Sequence, residues 1–153
     1  MEWVPVIAIG MLMFAAYGIW GMLKKGSQRK MLEDRLRSEA GPNSHIIVTE
    51  QVDILSKTHG LAVSEDDLWI AEGDDIRRIP HSRIVKAEVS SKFGAVESFV
   101  RLHLTIDDLA KPSFKISMID AHAPTQKMAR ARADEWKSRL DACIHRSRIN
   151  PPS

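Results

Sequence analysis

Residues 59–89 read HGLAVSEDDLWIAEGDDIRRIPHSRIVKAEV, and this run decides the fold. Short apolar segments alternate in it with clusters of turn residues. Gly60–Val63 leads into Ser64-Glu65-Asp66-Asp67, Leu68–Ala71 follows, and Glu72-Gly73-Asp74-Asp75 marks the next turn. Such turns favour Asp and Ser, whose short side chains satisfy nearby backbone N–H groups, and Gly, which accepts positive φ. Ile76–Ile79 stops at Pro80, and Ile84–Val89 begins after His81-Ser82-Arg83. The pattern is strand, turn, strand throughout.

The pattern continues on both sides. In Phe99–Asp107, Val100, Leu102, Leu104 and Ile106 face one way and Arg101, His103 and Thr105 the other, the alternation of a half-buried strand. Phe114, Ile116 and Met118 alternate with Lys115, Ser117 and Ile119 in a last strand. Upstream, Ile46–Leu55 is rich in β-branched residues, although Thr49–Leu55 also suits a helix. After Pro124 and Thr125 the period changes. Ala129, Ala133, Trp136, Leu140 and Cys143/Ile144 recur as one apolar stripe about four turns long, the mark of an amphipathic helix. Such a helix following antiparallel strands must bury its stripe against the sheet, with Trp136 as the plug. Leu102, Leu104, Trp136 and Leu140 are therefore the expected core.

Seven short strands and one C-terminal helix follow the order of the pleckstrin-homology (PH) superfold. The run 59–89, with its step Ile79-Pro80-His81-Ser82-Arg83-Ile84, resembles the core of bacterial PH-like domains. The resemblance covers about residues 45–146 and rests on hydrophobic and turn patterns. It implies an α+β chain with a partly open antiparallel β-barrel or sandwich, over residues 45–148, capped by the helix. Phosphoinositide binding is not carried over. Family members that bind such headgroups gather basic residues around the loop joining the first two strands, whereas Ser56-Lys57-Thr58-His59 offers one Lys.

The front of the chain has another character. From Trp3 to Leu23, 17 of 21 residues are apolar and none is charged. As a helix this stretch spans roughly 31 Å, the thickness of a bilayer's hydrocarbon core. Trp3, Tyr17 and Trp20 suit the two interfaces, and Lys24 and Lys25 open a basic flank that continues through Arg29, Lys30, Arg35 and Arg37. A cleaved signal peptide would carry its basic residues before the core, and a buried helix is seldom apolar on every face. The sequence thus predicts a transmembrane anchor over 1–26 and a basic juxtamembrane stalk helix over 27–44, ended by Gly41-Pro42-Asn43-Ser44. A frayed tail is expected over 149–153. The positive-inside rule places the N-terminus outside and the domain in the cytoplasm, at the inner membrane of a bacterial cell. The lone Cys143 agrees with a reducing compartment. No small-xxx-small pair occurs in the anchor, which argues against tight helix dimerisation and leaves other oligomers open.

Charge is unevenly spread. Residues 24–40 hold six basic and three acidic residues, 41–123 nine and thirteen, and 124–153 seven and three. The acidic middle disfavours nucleic acid and polyanionic ligands. Asp66-Asp67, Asp74-Asp75 and Asp107-Asp108 fall in expected turns, without the spacing of a calcium loop. The six histidines stand singly, and no nucleophile elbow, Walker motif or Gly-rich phosphate loop occurs. No catalytic residue, cofactor or metal is expected, and no small-molecule substrate. The most basic spot is Arg77-Arg78 with Arg83 and Lys86 nearby, a candidate site for an acidic partner segment. There, alternation puts Arg77 with Ile79 on one face and Arg78 with Ile76 on the other. The resulting expectation is a non-enzymatic, membrane-tethered module that recruits or scaffolds a partner protein. The alternative is a peripheral sensor of anionic lipid using the basic stalk and C-terminal helix.

Overall fold

A computed structural model describes residues 4–50, 58–94, 98–120 and 122–150, without the side chains of 4–8, 17, 20–25 and 50. Two helices and seven strands follow one another: α1 (Val4–Ala40), β1 (His45–Glu50), β2 (Thr58–Val63), β3 (Asp67–Glu72), β4 (Asp75–Pro80), β5 (Ile84–Lys92), β6 (Phe99–Ile106), β7 (Ser113–Ser117) and α2 (Gln126–Ile149), with a 3-10 turn at His81–Arg83. The chain is α+β. Its strands form two antiparallel meanders, β1-β2-β3-β4 and β5-β6-β7.

Local chemistry explains the corners. Glu72 and Asp75 pair across a two-residue turn in which Gly73 takes a φ of +64°, a conformation that costs other residues a steric clash. Proline at 80 cannot donate to a ladder, and the edge strand β4 ends there. Thr125 caps α2, its hydroxyl accepting from the Met128 N–H at 3.3 Å. Helix α1 ends at Gly41, whose φ of +93° and N–H···O bond to Arg37 at 3.0 Å close the last turn.

The inner faces of both sheets enclose one core with α2. Leu61, Leu68, Ile70, Val100, Leu102, Leu104 and Ile116 are completely buried there. Ala129, Ala133, Trp136, Leu140, Cys143 and Ile144 of α2 close it, so the helical stripe meets the sheets as one surface. Strand β6 alternates perfectly, with Val100, Leu102, Leu104 and Ile106 buried and the residues between them half-exposed.

A second, smaller core lies on the outer face of the four-stranded sheet. Leu32 and Leu36 of α1 pack there on Val48, Ala62 and Ala71, with Ala40, Ile46, Trp69 and Ile76 around them. The expected anchor and the stalk that continues it fall within one helix, Val4–Ala40, and its C-terminal part is a layer of the domain. Small residues permit the approach: a Cβ added at Gly60 would lie 2.6 Å from Leu36 Cδ1. Met31, next to Leu32 in the sequence, points away and is exposed. Among the described residues no helix is long and apolar enough to cross a membrane. Of the expected anchor residues, Trp3 and the side chains of Tyr17, Trp20, Lys24 and Lys25 lie outside the description, as do 51–57 and the tail residues 151–153.

Overpacking and cavity formation test the two cores separately. Gly60→Val is expected to push Leu36 out of its seat at a cost of about 1–3 kcal/mol, and Trp136→Ala to cost about 3–5 kcal/mol. In thermal unfolding of the detergent-solubilised chain both should lower the midpoint. Only Gly60→Val should expose the 29–40 segment to limited proteolysis before the sheets unfold.

Candidate functional site

The basic spot singled out in the sequence does not form one surface. Strand alternation sends Arg78 to the outer face, where its guanidinium lies 5.7 Å from the Trp69 ring and donates to Asp67 Oδ2 at 2.6 Å. Arg77 points to the other face, 3.8 Å from Asp108. Arg83 Nε donates to the Asp107 carbonyl oxygen at 3.0 Å.

These contacts have a structural logic. Strands β4 and β5 follow each other in the chain but are not paired, which leaves a seam between the two sheets. The loop between β6 and β7 crosses it. Arg77 and Arg83 reach this loop from one side, and Lys111 within it donates to Glu72 at 3.0 Å and lies 3.6 Å from Asp75. The Ala110 N–H, bonded to Asp108 Oδ1 at 2.9 Å, holds the Asp108 carboxyl below the usual range. Asp67, Asp74, Asp75 and Asp108 of the acidic turn pairs therefore serve as carboxylate partners for arginines and Lys111. Among the described residues no group of three or more His, Cys, Asp or Glu is placed to hold a metal ion.

Asp120 is the most constrained carboxylate. It lies between β7 and α2 and is nearly buried. Its Oδ1 accepts from Arg132 Nη1 at 2.9 Å and from the N–H groups of His122 and Ala123 at 2.9 and 3.1 Å. Its Oδ2 lies 3.7 Å from Arg29 of α1. Burial pushes the carboxyl pKa up, but the Arg132 hydrogen bond and charge and the two amides outweigh it and hold it below the ordinary value. Asp120 thereby ties the two helices to one loop, a role its place in the sequence did not signal.

One concave feature lies at the other end of the four-stranded sheet. A groove of about 660 Å³ lies between the α1–β1 turn, the β2–β3 turn and α2. Ala40, Val63, Ala142 and Cys143 supply its apolar lining. Glu65 and Asp66 stand on the strand-turn side, and Arg139 and Arg146 on the helix side. Cys143 is buried, and burial raises its thiol pKa, so it lacks the thiolate character of a nucleophile. His81 is buried beside this end, its backbone N–H bonded to the Asp66 carbonyl at 3.1 Å, and desolvation lowers its pKa. Sequence reading missed the groove because its residues are scattered over 40–67 and 139–146. Only their charges were visible.

No protein-family model, curated protein or solved structure matches the chain. The site is therefore read from its own geometry.

Two titrations follow. His81 binds its proton less readily in the folded state than in the unfolded chain. Stability should therefore fall as pH drops below about 6.5, where only the unfolded chain gains the proton. His81→Leu should flatten that limb in denaturant unfolding measured across pH. Asp120, with its depressed pKa, contributes stability above its unfolded value near 3.9 that is lost as pH falls through the folded value. Asp120→Asn should remove that acidic limb and cost about 2–3 kcal/mol at pH 7.

Proposed function

We propose that this chain is a non-enzymatic, membrane-tethered interaction module with a PH-like domain that holds a partner protein at the cytoplasmic face of an inner membrane. The observation that carries the proposal is the character of α1. Its described N-terminal part bears Ile9, Met11, Leu12, Met13, Phe14 and Ile19, each 58–85% exposed, while Leu32 and Leu36 further along it are buried in the domain. Moving a side chain of that size from water into hydrocarbon is worth roughly 1.5–3 kcal/mol. A contiguous exposed set of this kind marks an interaction surface. The uncharged run Trp3–Leu23 supplies the length for a bilayer, and the basic residues beyond it favour a cytoplasmic domain.

Two sheets of four and three antiparallel strands with a C-terminal helix support the PH-like reading. The groove supports a protein partner. Ala40, on its lining, lies 17 residues beyond Leu23, roughly 25 Å along the helix axis, so the groove opens away from the bilayer end of α1. Tethering raises the local concentration of such a site and lowers the affinity it needs.

A lipid-sensing role has less support, because five of the basic residues it would use on the stalk and α2 already have carboxylate partners. Arg35 pairs with Asp74 and Arg37 with Glu33 on α1, and Arg130 with Asp134, Lys137 with Asp141 and Arg139 with Glu135 on α2.

Carbonate washing of membranes containing the full chain tests the tether. The intact chain should stay in the pellet, with a tag after Ser153 inaccessible to protease added outside intact cells. Release of the intact chain into the wash, or loss of the tag, would overturn the proposal.

A further inference from the structure

The charges lining the groove are arranged in a way that specifies what fills it. Arg139 and Arg146 lie seven residues apart on α2, on one side of the helix and roughly 10 Å apart along its axis. Glu65 and Asp66 occupy the facing β2–β3 turn. Among the described residues no hydrogen bond or ion pair engages the side chains of Glu65, Asp66 or Arg146. Arg139 bonds Glu135 through one terminal nitrogen, but its buried Nε has no partner. Nearly every other basic side chain on α2 is matched to a carboxylate or a backbone carbonyl. Glu65 and Asp66 on one side and Arg146 on the other thus face the groove unmatched, with an apolar floor between them.

We infer that the groove takes a protein segment carrying an acidic side chain on one edge and a basic one on the other, with apolar residues between. The acidic side chain meets Arg146 and Arg139, and the basic one meets Glu65 and Asp66. A polymer of one sign is excluded: nucleic acid, a polyphosphate or a polyacidic tail attracted to the arginines would be repelled by the carboxylates opposite. The lining residues are turns, strand ends and a helix face, and edge strand β1 contributes only its first residue, His45, so side chains rather than an added strand provide most of the recognition. The groove's volume falls in the range of ordinary binding pockets, enough to bury a short segment. This inference rests on the interaction-module reading above and adds the chemistry of the partner.

The test places a photo-crosslinking residue at Ala142, exposed on the groove's helix side, in the full chain in its own membranes. Mass spectrometry then identifies the attached segment. The expected product is one protein segment bearing both an acidic and a basic residue. Arg146→Glu should reduce its yield about tenfold, and reversing the acidic residue of the segment should restore it. Arg146 is exposed and unpaired, so reversing its charge in the last turn of α2 should lower the unfolding temperature by only a few degrees. A segment of a single charge sign, a lipid adduct, or a yield indifferent to Arg146→Glu and Asp66→Lys overturns the inference. Protein crosslinks from probes at Ser38 or Val85 but none from Ala142 overturn the groove while sparing the module. No protein crosslink from any of the three positions overturns both.

Discussion

The seating of Leu36 over Gly60 holds this architecture together. Leu36 is completely buried, although it belongs to a helix whose other half is exposed and apolar. A four-stranded sheet normally keeps one face for the core and the other for water. Here Val48, Ala62 and Ala71, on the outer face, are buried under α1. The absence of a side chain at residue 60 lets the helix come close enough for Leu32 and Leu36 to exclude solvent. Ion pairs of Arg29 with Asp120 and Arg35 with Asp74 flank the contact. The exposed pair with Asp74 contributes little, whereas the one with Asp120 joins a nearly buried network. The domain and the helix that leads into it are consequently one body, and an orientation of α1 in a bilayer fixes the orientation of the groove.

Charge plays two distinct roles. At the β4–β5 seam Arg77 and Arg83 reach the β6–β7 loop and help hold the sheets together, while Arg78 pairs with Asp67 within its own sheet. At the groove Glu65, Asp66 and Arg146 have no such partners. Unpaired exposed charge costs little in water, and it becomes specific only when a partner excludes the solvent.

Much of the strand and helix layout was legible in the residues. The alternation of Val100, Leu102, Leu104 and Ile106, the Gly-Asp turn at 73–74 and the stripe through Trp136 each impose one solution at short range, and the observed elements start and stop within a few residues of the expected ones. The packing of α1 was not legible. Leu32 and Leu36 fall in the expected stalk helix and Gly60 in a short strand, and their meeting depends on contacts between residues 24 positions apart. The groove was hidden for the same reason. Alternation in the sequence already set Arg77 and Arg78 on opposite faces, but the partners of Arg77 and Arg83 lie in a loop 24 to 31 residues away, beyond the reach of a local pattern.

The central claim is that α1 serves at once as a lipid-embedded rod and as a layer of the domain. Hydrogen exchange of the full chain in lipid nanodiscs reports on both halves in one experiment. Amides of residues 29–40 should exchange as slowly as those of β2, with residues 6–22 protected as well and the turn at 41–44 exchanging fast. Exchange of 29–40 orders of magnitude faster than β2 would show a free stalk, and fast exchange of 6–22 would show that the rod lies outside the bilayer; either result would contradict the account.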